Sequence, residues 1–133
     1  MRNITPEGKL RACDLADYIS SCSSVPFKWG EHDCCTFAIG WLERQTGKDY
    51  LKEHRPWRTA RQAAKKLRDL GGLFFLFQKN LRQINPNMAQ DGDLTIYQGA
   101  ACLFSGRHIV SVGETGLVFT DRSVAREAWT CRH

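Results

Sequence analysis

The sequence predicts an α+β domain, with N-terminal helices packed on a small antiparallel β-sheet. Three observations predict it. Apolar residues recur at helical spacing up to the Gly71-Gly72 pair. After Pro86 the chain turns into short apolar runs, rich in strand formers and separated by glycine-containing turns. Helices come first and strands second, which is not the alternation of an α/β fold. A length of 133 residues fits one domain over 1–133. With 42% hydrophobic and 25% charged residues the chain falls outside the disordered, collagen-like and membrane-spanning classes.

The first helix is expected to begin near Thr5-Pro6-Glu7, a capping residue followed by residues suited to a first turn. Leu15, Ile19 and Cys22 form its apolar stripe, and Pro26 stops it. A loop from Pro26 to His32 leads to a second helix capped by Asp33. Phe37, Ala38, Trp41 and Leu42 give that helix its apolar face, and Gly47 ends it. A third helix follows Pro56, with Ala60, Ala63, Ala64 and Leu67 as its stripe and Gly71-Gly72 as its end. Leu73 to Leu81 reads as a further helical turn or two. Strands are expected at Leu94–Tyr97, Ala101–Phe104, His108–Val112, Leu117–Thr120 and Ala128–Thr130, arranged as a meander.

The net charge of +5 is unevenly spread. Residues 44–82 hold eleven basic side chains against Asp49, Glu53 and Asp69, a local excess of +8, and the remainder carries −3. Arg58, Arg61, Lys65, Lys66 and Arg68 fall on the third helix. They read as a solvated face or as a contact surface for an acidic partner. The aromatic residues are not interleaved with these charges, which argues against nucleic-acid binding.

The N-terminus has no apolar stretch of signal-peptide type, and the longest apolar run, Leu73–Phe77, is too short to cross a bilayer. The expectation is a protein made in the cytosol, where thiols stay reduced, with no membrane insertion. None of the six cysteines shows C-x-x-C spacing, so neither a metal site nor a cofactor is predicted. Cys13, Cys22, Cys102 and Cys131 read as small buried hydrophobes.

The most specific feature is Trp29-Gly30-Glu31-His32-Asp33-Cys34. A cysteine at a helix N-terminus sits among unpaired N–H groups, which stabilise a thiolate. Gly30 lets the backbone approach closely, Trp29 can wall a cleft, and Asp33 caps the helix. Such a nucleophile needs a base, brought in from elsewhere in the fold.

Trp29-Gly30 followed by Asp33-Cys34, with the later Gly92-Asp93-Leu94, resembles the NlpC/P60 cysteine peptidases. The likeness extends to a group of small bacteriophage tail proteins of that superfamily. They share Pro-Phe-x-Trp-Gly-x-x-Asp-Cys, then Thr46-Gly47-Lys48-Asp49, Arg58-Thr59-Ala60 and Ala128-Trp129 as these stand here. The resemblance covers most of the chain. It implies a papain-like fold, Cys34 as nucleophile and a histidine base at the start of the second core strand.

Two registers place that base. In one, His108 leads His108-Ile109-Val110-Ser111-Val112-Gly113 and is the base. In the other, Ala100–Gly106 takes that position, Ala100 stands where the histidine would be, and no triad exists. Cys35 replaces the family's serine and is expected to point into the core. His32 is expected to be structural, and His54 and His133 to be surface residues. As the resemblance implies, the protein is a tail-tip component, made in the bacterial host and then carried in the virion tail. Its partners are other tail or baseplate subunits. It either cleaves peptidoglycan stem peptides or serves as an inactive structural subunit.

Overall fold

A computed structural model describes residues 12–132. Helix α1 spans Ala12–Ser23, and the expected start near Thr5 lies outside the described residues. Leu15 and Cys22 are buried and Ile19 packs against them, so the expected stripe faces inward. Helix α2, Cys34–Thr46, is the central one, with seven buried residues from Cys35 to Leu42. It ends on Gly47 in the left-handed region (φ 79°), whose N–H donates to Glu43 O at 2.7 Å.

Helix α3, Ala60–Leu70, is peripheral and none of its residues is fully buried. Ala63, Leu67 and Leu70 lean on the core, while Ala60 and Ala64 are exposed. Its inner edge is therefore rotated away from the expected stripe. Helix α4, Leu73–Asn80, turns Leu73, Leu76 and Phe77 inward and leaves Phe74 and Phe75 outside.

Six strands form one antiparallel sheet: β1 (Arg82–Ile84), β2 (Leu94–Tyr97), β3 (Ala100–Ser105), β4 (His108–Gly113), β5 (Gly116–Asp121) and β6 (Ala128–Thr130). Their order is β1-β6-β2-β3-β4-β5. The expected meander holds for β2 to β5. Its first turn, Gln98-Gly99, has φ of 50° and 77°, the two positive values that suit a two-residue hairpin. Strand β6 departs from the meander and returns between β1 and β2. Trp129 explains the return. It is fully buried, opposes Leu94, donates from Nε1 to Gln78 Oε1 at 2.8 Å, and meets the rings of Phe74 and Phe77 edge-on. Strand β1 was not expected, because Arg82-Gln83-Ile84 is largely exposed and shows no apolar alternation. It is a strand because β6 pairs with it.

Alternation along the strands separates two cores. Leu94, Ala101, Leu103, Val110, Val112 and Trp129 join the helices in the main one. Cys102, Phe104, Ile109 and Ala128 join Ala89 in a small cluster on the opposite face. The segment crossing from β5 to β6 covers that cluster. Arg122 fastens it there, its guanidinium donating to the carbonyls of Gly106, Pro86 and Ala89.

Candidate functional site at the start of helix α2

The loop before α2 is built around one carboxylate. Asp33 is 1% exposed. Its Oδ1 accepts from Thr36 N at 2.9 Å, and Thr36 Oγ1 accepts from Asp33 N at 2.7 Å, a reciprocal cap. Its Oδ2 accepts from Gly30 N at 2.9 Å and from the Trp57 indole N–H at 2.8 Å. Gly30 has φ 82°, and a Cβ there would lie 1.8 Å from Trp57 O. Both the Gly and the Asp of the motif are therefore required by backbone geometry. Trp29 stacks edge-on against Phe27 at 4.9 Å and packs beside the core. Trp57, which completes this arrangement, was missed at the sequence level. It lies 24 positions from Asp33, and no local pattern connects them.

Cys34 is the first residue of α2 and is half-buried. Its thiol is held below the ordinary range, first by a hydrogen bond from the Cys35 side chain, then by the backbone N–H of Ala101; burial opposes both. Cys35 points into the core as expected and its thiol is pushed up, by its bond to Cys34 and by burial. Cys102, also raised by burial, lies close enough to feel the charge of Cys34. Among the described residues no group of three or more Cys, His, Asp or Glu side chains is placed to hold a metal ion.

Alkylation should show this arrangement directly. The iodoacetamide reaction of Cys34 should reach half its maximal rate at a lower pH than a free cysteine, whose pKa is about 8.5. Cys35→Ala removes the S–H donor and should move that midpoint upward. A midpoint that does not move would show that the Cys35 bond does not hold the thiolate.

The structure does not bring the expected base to this thiol. The strand whose start meets Cys34 is β3, with Ala100 and Ala101 at its head. This is the second of the two registers. His108 opens β4 at the other end of the β3–β4 hairpin, paired with Ser105. Four residue steps along the strand take Ala101 to Ser105, on the order of 13 Å. His108 is exposed, edge-on to Phe119 at 6.0 Å and opposite Asp121. Asp121 is held low by Ser123, which supplies a backbone N–H and a hydroxyl, and not by any tie to Cys34.

His32 is buried, its backbone bridged to Lys28. His54 is half-buried rather than on the surface, in a small cavity shared with Cys35, Trp57, Leu67 and Leu70. His133 lies outside the described residues. The Gly92-Asp93-Leu94 motif is likewise structural. Gly92 N–H donates to Phe104 O, its carbonyl accepts from the Trp41 indole, and a Cβ there would lie 3.0 Å from the Trp41 ring. The Asp93 carboxylate binds Arg132 through two hydrogen bonds and accepts from Gln90 N.

The basic segment is partly neutralised. Arg44 pairs with Asp14, Arg55 with Asp49 and Lys65 with Asp69. Arg61, Lys65 and Arg68 remain exposed along one side of α3, and Arg58 is exposed just before its cap residue Thr59. No helix among the described residues is long and apolar enough to cross a membrane.

Fold and site together define an α+β protein with a cysteine at the head of its central helix, facing an alanine-led strand. The chain belongs to the DUF6950 family, a domain of unknown function, whose profile matches residues 10–131. No curated protein and no solved structure matches it.

Proposed function

We propose that this protein is a structural subunit of a bacteriophage tail that has a papain-like, NlpC/P60-type architecture and no peptidase triad. One observation carries the reading. The strand facing Cys34 begins Ala100-Ala101, and His108 stands at the far end of the hairpin. Apart from Cys34, the glycines and aspartates that resemble the peptidase motif have structural work. Gly30 and Asp33 fix the loop, and Gly92 and Asp93 fix the sheet to α2 and to the C-terminal segment. The exposed cationic side of α3 supports docking onto acidic surfaces of neighbouring tail or baseplate subunits. Such a subunit would be assembled in the bacterial host and carried in the virion tail, with no nucleic acid bound and no bilayer crossed.

A second reading has one observation in its favour. The lowered thiol of Cys34 is what a cysteine peptidase would keep. Digestion of purified peptidoglycan separates the two. The structural reading expects the wild-type chain to release no more stem peptide than Cys34→Ala. Release that is lost in both Cys34→Ala and His108→Ala would overturn it.

A further inference from the structure

The geometry points to strand β5 as the contact between two copies of this chain, paired antiparallel across a two-fold axis at Val118. Among the described residues strand β5 is the outer edge of the sheet, and Val118 and Phe119 are 48% and 53% exposed there. Long, apolar edges are usually blunted by Lys, Pro or a bulge. Gly116-Leu117-Val118-Phe119-Thr120-Asp121 contains no Lys or Pro, and its register to β4 runs unbroken from Gly113↔Gly116 to His108↔Asp121.

The hydrogen-bond phase of the edge is set. Arg122 N–H donates inward to Arg107 O at 3.0 Å. Alternate residues Thr120, Val118 and Gly116 therefore also face β4 with their backbone groups. Leu117, Phe119 and Asp121 turn their N–H and C=O outward. Their side chains share the helix face of the sheet, since they oppose Val112, Val110 and His108.

A two-fold axis perpendicular to the sheet keeps each face on its own side. Residues directly opposite one another must then come from the same face. With the axis at Val118, Leu117 pairs with the partner's Phe119 and Phe119 with the partner's Leu117. Both are outward-bonding positions. Val118 meets the partner's Val118 on the open face, at a position where side chains approach most closely. Moving the axis to Phe119 would set Leu117 against the partner's Asp121, and moving it to Thr120 would set Phe119 there. An axis at Leu117 would set Val118 against Gly116 and Phe119 against Thr115, so the Val118 register is the one that sets Leu117, Val118 and Phe119 each against an apolar residue. A groove of about 430 Å³ between β5 and α1, walled by Ala16, Ile19 and Ser20, adjoins the same edge. Self-pairing of this kind closes as an isologous dimer.

Sedimentation equilibrium of the full chain tests the proposal. The wild type should dimerise reversibly in the micromolar range. Val118→Lys and Val118→Glu each place like charges directly opposite across the axis, and each should weaken the dimer about tenfold or more. Mixed in equal amounts, they should recover a heterodimer. Val118→Thr serves as the neutral control and should stay dimeric. Circular dichroism should show all three variants folded, because the side chain is half exposed. A wild type that stays monomeric would overturn the proposal, as would a dimer indifferent to Val118→Lys or charge variants that fail to recover on mixing.

Discussion

Asp33→Ala should cost about 3–5 kcal/mol of folding stability, far more than removal of the neighbouring thiol by Cys34→Ala. Losing the helix cap accounts for about 1–2 kcal/mol. The buried Trp57 indole N–H then has no acceptor, and the Gly30 N–H loses its own; each such loss costs about 1–3 kcal/mol. Both donors converge on Oδ2 at 2.8–2.9 Å, so no other side chain can replace it in place. Asp33→Asn keeps an oxygen for Thr36 N but turns an amide group toward two donors, and should cost about 1–3 kcal/mol. Urea unfolding measures both, with the midpoint falling and the slope unchanged. A loss below about 1 kcal/mol for Asp33→Ala would show that the loop is held by something other than this carboxylate.

That prediction separates two meanings of the same motif. The letters Trp-Gly-x-x-Asp-Cys were legible in the sequence, and so was the helix they begin. Asp33 as cap, Gly47 as terminus and Cys35 pointing inward follow from local rules of spacing and backbone conformation. What the motif touches is set at long range. The Trp57 contact spans 24 positions, the Trp41 bond to Gly92 spans 51, and the strand facing Cys34 begins at Ala100. No periodicity carries such information.

The same division runs through the sheet. Strands β2 to β5 could be read because each is short, apolar and bounded by a turn. Their order could be read because hairpins join neighbours. The position of β6 could not, since it depends on where Trp129 finds a buried site beneath α4. Strand β1 could not, since exposed Arg82 and Gln83 carry no inward pattern. The histidine question had the same character. Both registers fit the local sequence, and the pairing of Ser105 with His108 decides between them by placing the hairpin turn at Gly106-Arg107.

Arg132→Ala should destabilise the fold by about 2–4 kcal/mol. Its guanidinium makes two hydrogen bonds to the Asp93 carboxylate, whose side chain is 2% exposed. Removing the arginine leaves a buried negative charge with, among the described residues, only the Gln90 N–H as a donor. Truncating one partner of a buried pair costs about 3–5 kcal/mol. The Arg132 side chain is itself 35% exposed, so water partly replaces it and the expected loss is smaller. The sign of the remedy identifies the cause. If an uncompensated carboxylate is responsible, Asp93→Asn added to Arg132→Ala should recover about 1–2 kcal/mol, because a neutral amide is easier to bury. If Arg132 acts only by packing its methylene stem, the two substitutions should add. A double-mutant cycle by urea unfolding reads the difference as a coupling energy. Strong coupling would mean that Asp93, in the motif that resembles a peptidase's strand opening, serves to lock the C-terminal segment onto the sheet. That segment includes β6, and through Trp129 it holds α4 in place.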